Sequence, residues 1–564
     1  MRKRSNVLWW LLLIGGLVFV NYLASLVHRR IDLTTDKRYT LTRTTRDLVN
    51  QLNGNVTIDL FLKGDFPIEF RKLATTTQEF LSVLKESNPS HITYRFIDPQ
   101  DEVENGKSWG DSLKSLGIEP INLSVQVKAG EENKIVFPYA MISYEGHSSL
   151  VNLFPSSKRN ISVAELNNAE ALMEYQFAST LNREIHPEKP FVAYATGHGE
   201  PTDATTYDLQ QTINSSYKLF VFDLKAQPAI PDTIKALLIV KPTESFSDAE
   251  KLKIDQYVMR GGKVIWFIDN LHAEQDSLRF KSQLIAYERN LNIQDLLFNF
   301  GVRINPDLVM DLQCDFLPFA VGGNAGNPQY EFLHWNYYPL FESKGNQAIT
   351  KNIGLVAGRY VNSIDTVELP GVKKTILLQS SSNSRIISTP ALISPNENRN
   401  MAEDALFRQH DIPVAVLLEG RFTSFYRARA SQAQRDTLRQ YGGFRDQSEE
   451  GGKMVVVADG DMVLNDVSPK QGPLPMGSNL FTSGTQYEYQ FANRDFIINI
   501  LEYLTSNNNL AQTRNKEIVL RLLDVKKVNE QKVKWQLINI ALPVLLIILF
   551  GILYQRIRRY RFGS

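Results

Sequence analysis

Several polar side chains follow apolar segments that are typical of buried β-strands, and their chemical types are those that bind metals or transfer protons. The residues concerned are Thr196, His198, Glu200, Glu244, Asp269, Asn270, His272, Asp459 and Asp461. Ligands of open parallel sheets bind outside the carboxyl ends of the strands. We therefore predict that these side chains line one ligand crevice at that edge of a sheet.

Two interpretations of this group remain open. Imidazole and carboxylate groups can form a metal site or an acid–base pair. The candidates for this role are His198, Glu200, Asp269 and His272. No H-x-x-x-H or H-E-x-x-H spacing supports a metal site. In the second interpretation, which we favour, Gly197 and Gly199 supply backbone freedom to a strand-to-helix turn, while the histidine and glutamate cap helices or bond neighbouring loops. This interpretation predicts neither a bound metal nor a catalytic residue.

Motifs that would indicate an enzyme are absent from the sequence. No G-x-x-x-x-G-K-[ST] occurs, so the phosphate cradle of a P-loop ATPase is missing. No G-x-S-x-G elbow follows a strand, and the single cysteine, Cys314, lies in an irregular segment. We therefore expect no enzymatic activity and no cofactor. The 62 basic and 61 acidic side chains also argue against a nucleic-acid binder, for which a basic face is expected.

Two apolar stretches at the ends of the 564-residue chain predict membrane-spanning helices in contact with lipid. Val7 to Val27 and Trp535 to Tyr554 contain no charged residue, and each has about the 20 residues that cross a bilayer. Basic residues at 2–4 and 556–561 favour termini in the cytoplasm. We predict an uncleaved anchor over residues 1–28 and a helix with a basic tail over 535–564. The side chains suited to helix packing in these spans are Gly15, Gly16, Asn21 and Asn539.

The residues after the first apolar stretch predict a small α/β domain over 29–160. Its pattern is strand, helix, strand, at Val56 to Leu62, Ile68 to Glu86 and Ile92 to Ile97. A helical stretch then predicts a connector over 161–189.

The residues after the connector predict a second α/β domain. In 190–300, near-continuous apolar strands alternate with helices, which indicates a parallel sheet covered on both faces. Residues 301–452 predict a β-rich insertion, and 453–510 complete the sheet. A charged segment over 511–534 predicts a juxtamembrane helix. The fold class is therefore α/β, with two domains enclosed by two transmembrane helices.

The sequence also resembles a known family. The segments that carry the resemblance are RIDLTTDKRYTLTRTTRDLVNQL after the first helix, FIDPQ at 96–100, ATGHGEP at 195–201, YVMRGGKVIWFID at 257–269, ANRDFIINILEYLT at 492–505 and the basic tail. They are similar to those of the GldG family, the gliding-motility-associated ABC transporter auxiliary proteins of Bacteroidota. The similarity extends over essentially the whole chain, and its motifs are structural rather than catalytic.

The resemblance implies a bacterial inner-membrane subunit with two passes, cytoplasmic termini and a large periplasmic region. It implies an ABC permease subunit and a cytoplasmic ATPase subunit as partners, together with periplasmic gliding or secretion proteins. It also implies that the second domain is similar to the flavodoxin-like GIFT domain of intraflagellar transport proteins. Our leading hypothesis is a non-enzymatic accessory subunit that binds a substrate or a partner protein. The alternatives are a periplasmic metal-dependent hydrolase that uses His198, Glu200 and Asp269, and a purely structural scaffold.

Overall fold

The computed structural model describes most of the chain, in two units. The described residues are 2–26, 40–64, 68–103, 107–115, 118, 120–127, 130–154, 163–275, 283–324, 326–343, 345, 347–394, 401–449, 451–506, 510–515 and 525–563. The first unit comprises Met1–Glu517 and the second Ile518–Ser564.

The helices and strands of the described residues have the following bounds. The helices are α1 (Arg2–Leu26), α2 (Arg43–Asn50), α3 (Ile68–Ser87), α4 (Trp109–Ser115), α5 (Val163–Ile185), α6 (Tyr207–Ser216), α7 (Asp248–Met259), α8 (Gln294–Phe300), α9 (Gln432–Leu438), α10 (Asn493–Thr505) and α11 (Val525–Phe562). Short 3₁₀ helices cover Ala204–Thr206, Met401–Leu406, Arg439–Tyr441, Asp461–Val463 and Leu510–Asn515. The strands of the first domain are β1 (Val56–Leu60), β2 (Ile92–Phe96), β3 (Glu102–Val103), β4 (Lys107–Ser108), β5 (Ile121–Val127), β6 (Gly130–Val136), β7 (Tyr139–Tyr144) and β8 (His147–Asn152).

The strands that follow α5 are more numerous and include many short ones. They are β9 (Phe191–Thr196), β10 (Lys218–Asp223), β11 (Ile234–Val240), β12 (Lys263–Phe267), β13 (Leu271–His272), β14 (Leu284–Glu288), β15 (Val302–Ile304), β16 (Asp307–Asp311), β17 (Cys314–Asn324), β18 (Asn327–Phe341), β19 (Val356–Ala357), β20 (Ile364–Thr366), β21 (Val372–Gln379), β22 (Ser384–Ser388), β23 (Ala391–Ile393), β24 (Pro413–Gly420), β25 (Gly452–Val457), β26 (Val467–Ser468) and β27 (Gly472–Pro473).

The first domain is a four-stranded sheet in the order β2-β1-β7-β8. Strands β1 and β2 are parallel and are connected through α3, so the predicted strand–helix–strand unit is confirmed. Strands β7 and β8 form an antiparallel hairpin, and β7 pairs with β1. Apolar side chains of β1, α2 and α5 share one core, which includes Val56, Leu48 and Phe177.

The larger sheet has seven strands in the order β10-β9-β11-β12-β25-β24-β21. The first five are parallel, and their order along the chain is 2-1-3-4-5 when β9 is counted first. Residues 236–240 of β11 are all buried, because both faces of the sheet are covered. Helices α6 and α10 pack on one face, and α7 and α8 pack on the other.

The sheet is mixed rather than wholly parallel, which corrects the sequence-based prediction. Strands β24 and β21 are antiparallel to their neighbours and extend the sheet beyond β25. Both lie within 301–452, the segment predicted as a β-rich insertion, so two strands of that segment belong to the seven-stranded sheet. Residues 413–420 read PVAVLLEG, and the side chains of 414–418 are all buried. Such an apolar run is stable only inside a sheet that is covered on both faces.

The ends of the chain form two long helices. In α11, the segment Gln531–Arg561 is long and apolar enough to cross a membrane. In α1, the apolar part among the described residues is the shorter Leu12–Tyr22. The two helices are compatible with membrane anchoring. Of the predicted juxtamembrane helix over 511–534, residues 516–524 lie outside the described residues, and α11 begins at Val525.

Two segments that are distant in sequence lie side by side within the first unit. Helix α2 and the 3₁₀ helix Leu510–Asn515 both contact α5 and each other. Leu510 is buried in the same core as Leu41 and Leu48. The Arg514 guanidinium lies 3.6 Å from the centre of the Tyr175 ring on α5. The described segments 40–64 and 510–515 are therefore neighbours in the core of the first domain.

Candidate functional site

The carboxyl ends of the parallel strands carry most of the predicted polar residues, but the structure divides these residues into separate groups. One group contains three aspartates that follow β12 and β25. A second group surrounds His198 in the turn after β9. The remaining predicted residues bond neighbouring loops or lie at the surface, as described below.

The first group is a cluster of carboxylates around one lysine. The carboxylate oxygens of Asp269, Asp459 and Asp461 lie within 4.8 Å of one another. Lys241, the first residue after β11, extends its ammonium group among them. Its Nζ lies 2.6 Å from Asp461 Oδ1, 3.3 Å from Asp269 Oδ2 and 2.9 Å from Glu274 Oε2. The lysine side chain is only 9% exposed, so this ion-pair network is largely screened from solvent.

The electrostatics of this carboxylate–lysine cluster follow from its burial. Burial raises the pKa of Asp269 to about 6, although Lys241 and the amide of Gly460 oppose the shift. Burial and the two neighbouring aspartates raise the pKa of Asp459 well above its usual range. Burial lowers the pKa of Lys241, but Asp461, Asp269 and Glu274 outweigh this effect and raise it overall. The ammonium therefore stays charged and balances part of the negative charge.

A second, partly buried ion pair lies beside the cluster. Both Oδ atoms of Asp459 accept backbone hydrogen bonds, one from Arg359 N at 2.9 Å and one from Asp461 N at 2.8 Å. The Arg359 guanidinium makes two hydrogen bonds of 2.7 Å to the carboxylate of Asp466. A cavity of about 20 Å³ lies between Arg359 and Asp461, which is room for one water molecule.

The second group places His198 between two glutamates in the interior. The imidazole is fully buried and stacks on Phe246, with ring centres 3.7 Å apart. Its Nε2 lies 3.2 Å from Glu250 Oε2, and its Nδ1 lies 3.6 Å from Glu200 Oε1. Glu250 also forms the capping box of α7 with Ser247. The histidine thus links the turn after β9 to the start of α7.

The other predicted residues have local roles in the structure. Glu244 forms a 2.9 Å ion pair with Lys225 at the surface. Asn270 donates to the carbonyl of Ile304 at 3.3 Å, and its backbone N–H donates to Asn362 Oδ1 at 2.9 Å. These bonds join β12 to the strands that follow α8. His272 stacks on Tyr287, with ring centres 4.6 Å apart.

Two further predictions concern backbone and membrane-helix positions. The carbonyl of Thr196 accepts a 3.0 Å hydrogen bond from Leu224 N, which closes the end of the β9–β10 pair. In α1, Asn21 Nδ2 donates to the carbonyl of Leu17 in its own helix at 3.1 Å. A Cβ built on Gly15 or Gly16 meets nothing within 4 Å. Asn539 is exposed on α11.

The sequence reasoning missed the residues that complete both groups, namely Lys241, Glu274, Arg359 and Glu250. A signal for Lys241 was available, because a lysine directly after the apolar run IKALLIV occupies a strand-end position. It also has a φ of 48°, which is uncommon for a residue other than glycine. Glu250 was recoverable as the fourth residue of a Ser-x-x-Glu capping box. Glu274 and Arg359 have no comparable local signal.

The chemistry of the arrangement follows from these contacts. Three carboxylates offer hard oxygen ligands of the kind that bind divalent cations, but the Lys241 ammonium already lies among them. The thiol of Cys314 is buried, and burial raises its pKa, which suppresses the nucleophilic thiolate. The cluster therefore acts as an internal ion-pair network that joins β11, β12 and β25.

Two protein-family models match segments of the chain. The family model ABC_transp_aux, described as "ABC-type uncharacterized transport system", matches residues 189–500, which is more than half of the chain. A second family model, a domain of unknown function (DUF7088), matches residues 35–143. The first match runs from the residues just before β9 into α10 and so includes both groups described above.

Comparison with individual proteins gives distant relatives. An "Uncharacterized protein" of Borreliella burgdorferi is 20% identical over 559 residues, which cover 95% of this chain and 94% of that protein. The mmIFT52 N-terminal domain aligns with 14% identity and a TM-score of 0.31, over 56% of this chain and 98% of that domain. The exo-beta-1,4-mannosidase Op5Man5 from Opitutaceae bacterium strain TAV5 aligns with 10% identity and a TM-score of 0.18, over 69% of this chain and 44% of that protein. The two structural alignments are too weak to support an argument about the fold.

Proposed function

The chain belongs to the auxiliary family of ABC-type transport systems described as "ABC-type uncharacterized transport system", and from this premise we propose that it is a non-enzymatic, membrane-anchored accessory subunit of a GldG-type ABC transporter. The transporter serves gliding motility and the associated secretion. The large region binds a transported substrate or a partner protein. A separate permease and a separate cytoplasmic ATPase supply the channel and the energy.

One observation carries this proposal, namely the family match over residues 189–500. The matched segment contains the whole seven-stranded sheet and helices α6 to α9. The family resemblance therefore covers a complete sheet with helices on both faces rather than a short motif. The finer assignment to the GldG type relies on the motifs RIDLTTDKRYTLTRTTRDLVNQL and ATGHGEP.

The proposed topology is a two-pass protein of the bacterial inner membrane, with cytoplasmic termini and a periplasmic middle. Basic residues at 2–4 and 556–561 support cytoplasmic termini. The apolar segment of α11, long enough to cross a membrane, supports an anchor at the C-terminal end.

The proposed domain assignment is a small α/β domain over residues 29–160, a connector over 161–189, and a flavodoxin-like, GIFT-like domain formed by 190–300 and 453–510 with a β-rich insertion over 301–452. The parallel strand order 2-1-3-4-5 supports a flavodoxin-like domain, since that order is one of the two common orders of doubly wound sheets. The antiparallel pair β24 and β21 is then an extension of this domain.

The absence of catalysis is also a proposal, and the ion-pair network supports it. Lys241 occupies the position among Asp269 and Asp461 that a catalytic cation would need. The alternative, a metal-dependent hydrolase, relies on His198, Glu200 and Asp269. His198 contacts Glu200, Glu250 and Phe246, whereas Asp269 contacts Lys241 and the backbone N–H of Gly460. The three residues therefore belong to different clusters.

Affinity purification from native membranes tests the proposal. A tag placed after Ser564 allows the chain to be isolated in mild detergent, and mass spectrometry identifies the proteins that accompany it. We expect an ABC permease and its ATPase in the eluate, with ATP turnover only in their presence. A chain that is recovered alone and hydrolyses ATP at about 1 per second or faster, a rate typical of enzymes, contradicts the proposal.

A further inference from the structure

A cleft lies at the edge of the larger sheet opposite the predicted crevice, where β11 and β12 begin. Its volume is about 280 Å³, close to the lower end of the range for pockets that bind small molecules. The charged residues that line it are Asp232, Lys235, Arg260 and Lys263, and Tyr257 and Leu504 form apolar walls. Three cations therefore face one carboxylate, so the lining has an excess of positive charge.

Arg260 is the most deeply buried of these cations. Its side chain is only 3% exposed, its Nε donates to Asp232 Oδ1 at 2.8 Å, and its Nη2 donates to the carbonyl of Ile230 at 2.9 Å. Its Nη1 is buried and has no hydrogen-bond partner among the described residues. Buried N–H groups of this kind are normally satisfied, and a guanidinium has the planar fork that oxyanions accept. The arginine thus retains donor capacity at the cleft.

The lysines add unbalanced charge to the same place. Lys263 donates one hydrogen bond of 3.3 Å, to the carbonyl of Gly451. Burial lowers its pKa, and the neighbouring ammonium of Lys453 on β25 lowers it further. Lys453 itself bonds the carbonyl of Tyr503. Lys235 makes no hydrogen bond or ion pair with a described residue. Two like-charged groups held side by side repel each other unless an anion lies between or beside them.

The pairing of β11 with β12 brings Lys235 and Lys263 to the same end of the sheet, because Ala236 of β11 pairs with Lys263 of β12. Side chains alternate along β12, and Val264 packs on the face covered by α7, so Lys263 points to the face covered by α10. Lys235 lies at a register shift of β11, between Ile234 and Ala236. The turn Gly261-Gly262 between α7 and β12 also lines the cleft. Gly261 has a φ of 96°, and a Cβ on Gly262 would lie 2.4 Å from the Tyr257 ring.

We propose that this cleft is a binding site for a phosphate-class oxyanion, held by Lys235, Lys263 and the Arg260 guanidinium. Phosphate matches the site because a phosphate monoester carries nearly two negative charges at neutral pH, against the excess of two positive charges in the lining. Arginine forks and lysine ammonium groups are the usual protein partners of phosphate. The phosphate group can belong to a free phosphate compound or to a phospholipid headgroup, which share this chemistry. The proposal is independent of the transport function proposed above.

Isothermal titration of the full-length protein in a non-ionic detergent tests the site. The probes are inorganic phosphate and dihexanoyl phosphatidic acid, a short-chain phospholipid used as a monomer. We expect at least one of them to bind, and the lysine-to-methionine changes Lys235→Met and Lys263→Met each to weaken its binding about tenfold or more. The matched control is Lys470→Met, because Lys470 is an exposed lysine in the turn between β26 and β27.

The outcomes distinguish a free phosphate compound from a lipid headgroup, and both of these from failure of the proposal. If inorganic phosphate binds and its binding depends on Lys235 and Lys263, the natural ligand is a free phosphate compound. If only the binding of phosphatidic acid depends on these lysines, the ligand is a lipid headgroup. Thermal unfolding of each variant checks that it is folded. If the double variant Lys235→Met and Lys263→Met melts early, the double variant Lys235→Arg and Lys263→Arg takes its place. This arginine variant keeps both positive charges and should retain binding. Absence of binding by both probes, or equal binding by the Lys263→Met and Lys470→Met proteins, overturns the proposal.

Discussion

At the scale of single residues, we predict that the turn after β9 depends on its glycines more than on its charged side chains. Gly199 has a φ of 77°, and a Cβ there would lie 2.0 Å from Thr243 Oγ1. The neighbouring carbonyl of His198 accepts two hydrogen bonds, from Thr243 N at 2.7 Å and Glu244 N at 2.8 Å. The turn is thus held against the loop after β11, and the glycine makes that close approach possible.

Gly199→Ala should therefore destabilise the protein by more than backbone strain alone, which costs about 1–3 kcal/mol. The matched control is Gly443→Ala, because Gly443 has a φ of 76° but open space around its Cβ position. Urea unfolding of the two full-length variants in detergent measures the difference. Equal losses of stability in both variants would show that the contact with Thr243 has no energetic weight.

Asp255 is the residue whose protonation should be visible in the stability of the protein. It lies in α7 and accepts hydrogen bonds from Ser424 Oγ at 2.6 Å and Phe425 N at 2.8 Å. Burial raises its pKa to about 6. An unfolded aspartate has a pKa of about 3.9, so the folded state binds more protons than the unfolded state between about pH 4 and pH 6.

The free energy of unfolding should consequently fall as the pH rises through this interval, by up to about 3 kcal/mol from Asp255. The variant Asp255→Asn should lose that part of the pH dependence, whereas the exposed Asp436→Asn should keep it. Unfolding of full-length protein by urea at several pH values measures both. A pH dependence that is unchanged in Asp255→Asn would contradict the raised pKa.

At the scale of secondary-structure elements, the Lys241 network connects the ends of β11, β12 and β25. Removal of one member leaves buried charges without partners, which typically costs about 3–5 kcal/mol. Lys241→Met should cause a loss of this size, because Asp269 and Asp461 stay buried. Lys225→Met removes an exposed ion pair with Glu244 and should cost much less, because solvent screens that pair.

Thermal melts of the Lys241→Met and Lys225→Met proteins compare the losses of stability that the two substitutions cause. Similar melting temperatures for the two variants would show that the buried network contributes no more than a surface ion pair. A Lys241→Met protein that gains stability from added Mg²⁺ or Ca²⁺ would show, in addition, that the three aspartates can accept a cation once the ammonium is removed.

The elements also show how much of the fold the sequence could predict. Strands β9, β11 and β12 were identified because their apolar runs are continuous and bounded by turns. Strands β24 and β21 were missed as parts of this sheet, because their pairing partners are distant in sequence and no local pattern encodes strand order. The same limit applies to the site. A strand-end lysine is visible in the sequence, but its carboxylate partner Asp461 lies 220 positions away.

At the scale of the whole molecule, an apolar helical segment lies near each end of the chain, at Leu12–Tyr22 and Gln531–Arg561. Two-pass topology with cytoplasmic termini follows as a prediction. A reporter that is active only in the cytoplasm should be active when fused after Ser564. A reporter inserted at Gly345, an exposed loop position of the large region, should be inactive. Activity with the opposite pattern would reverse the proposed orientation.

The most direct test of the central claim is contact with a permease inside the membrane. A photo-crosslinking amino acid at Asn21 or Asn539 probes each apolar helix, and the same amino acid at exposed Tyr330 on β18 serves as a control outside the helices. After irradiation of living cells, we predict covalent adducts of the helix positions with an ABC permease subunit, identified by mass spectrometry, and none from Tyr330 with the same permease segments. Adducts with lipid alone from both helix positions, with permease present in the same membranes, would contradict an accessory subunit of an ABC transporter.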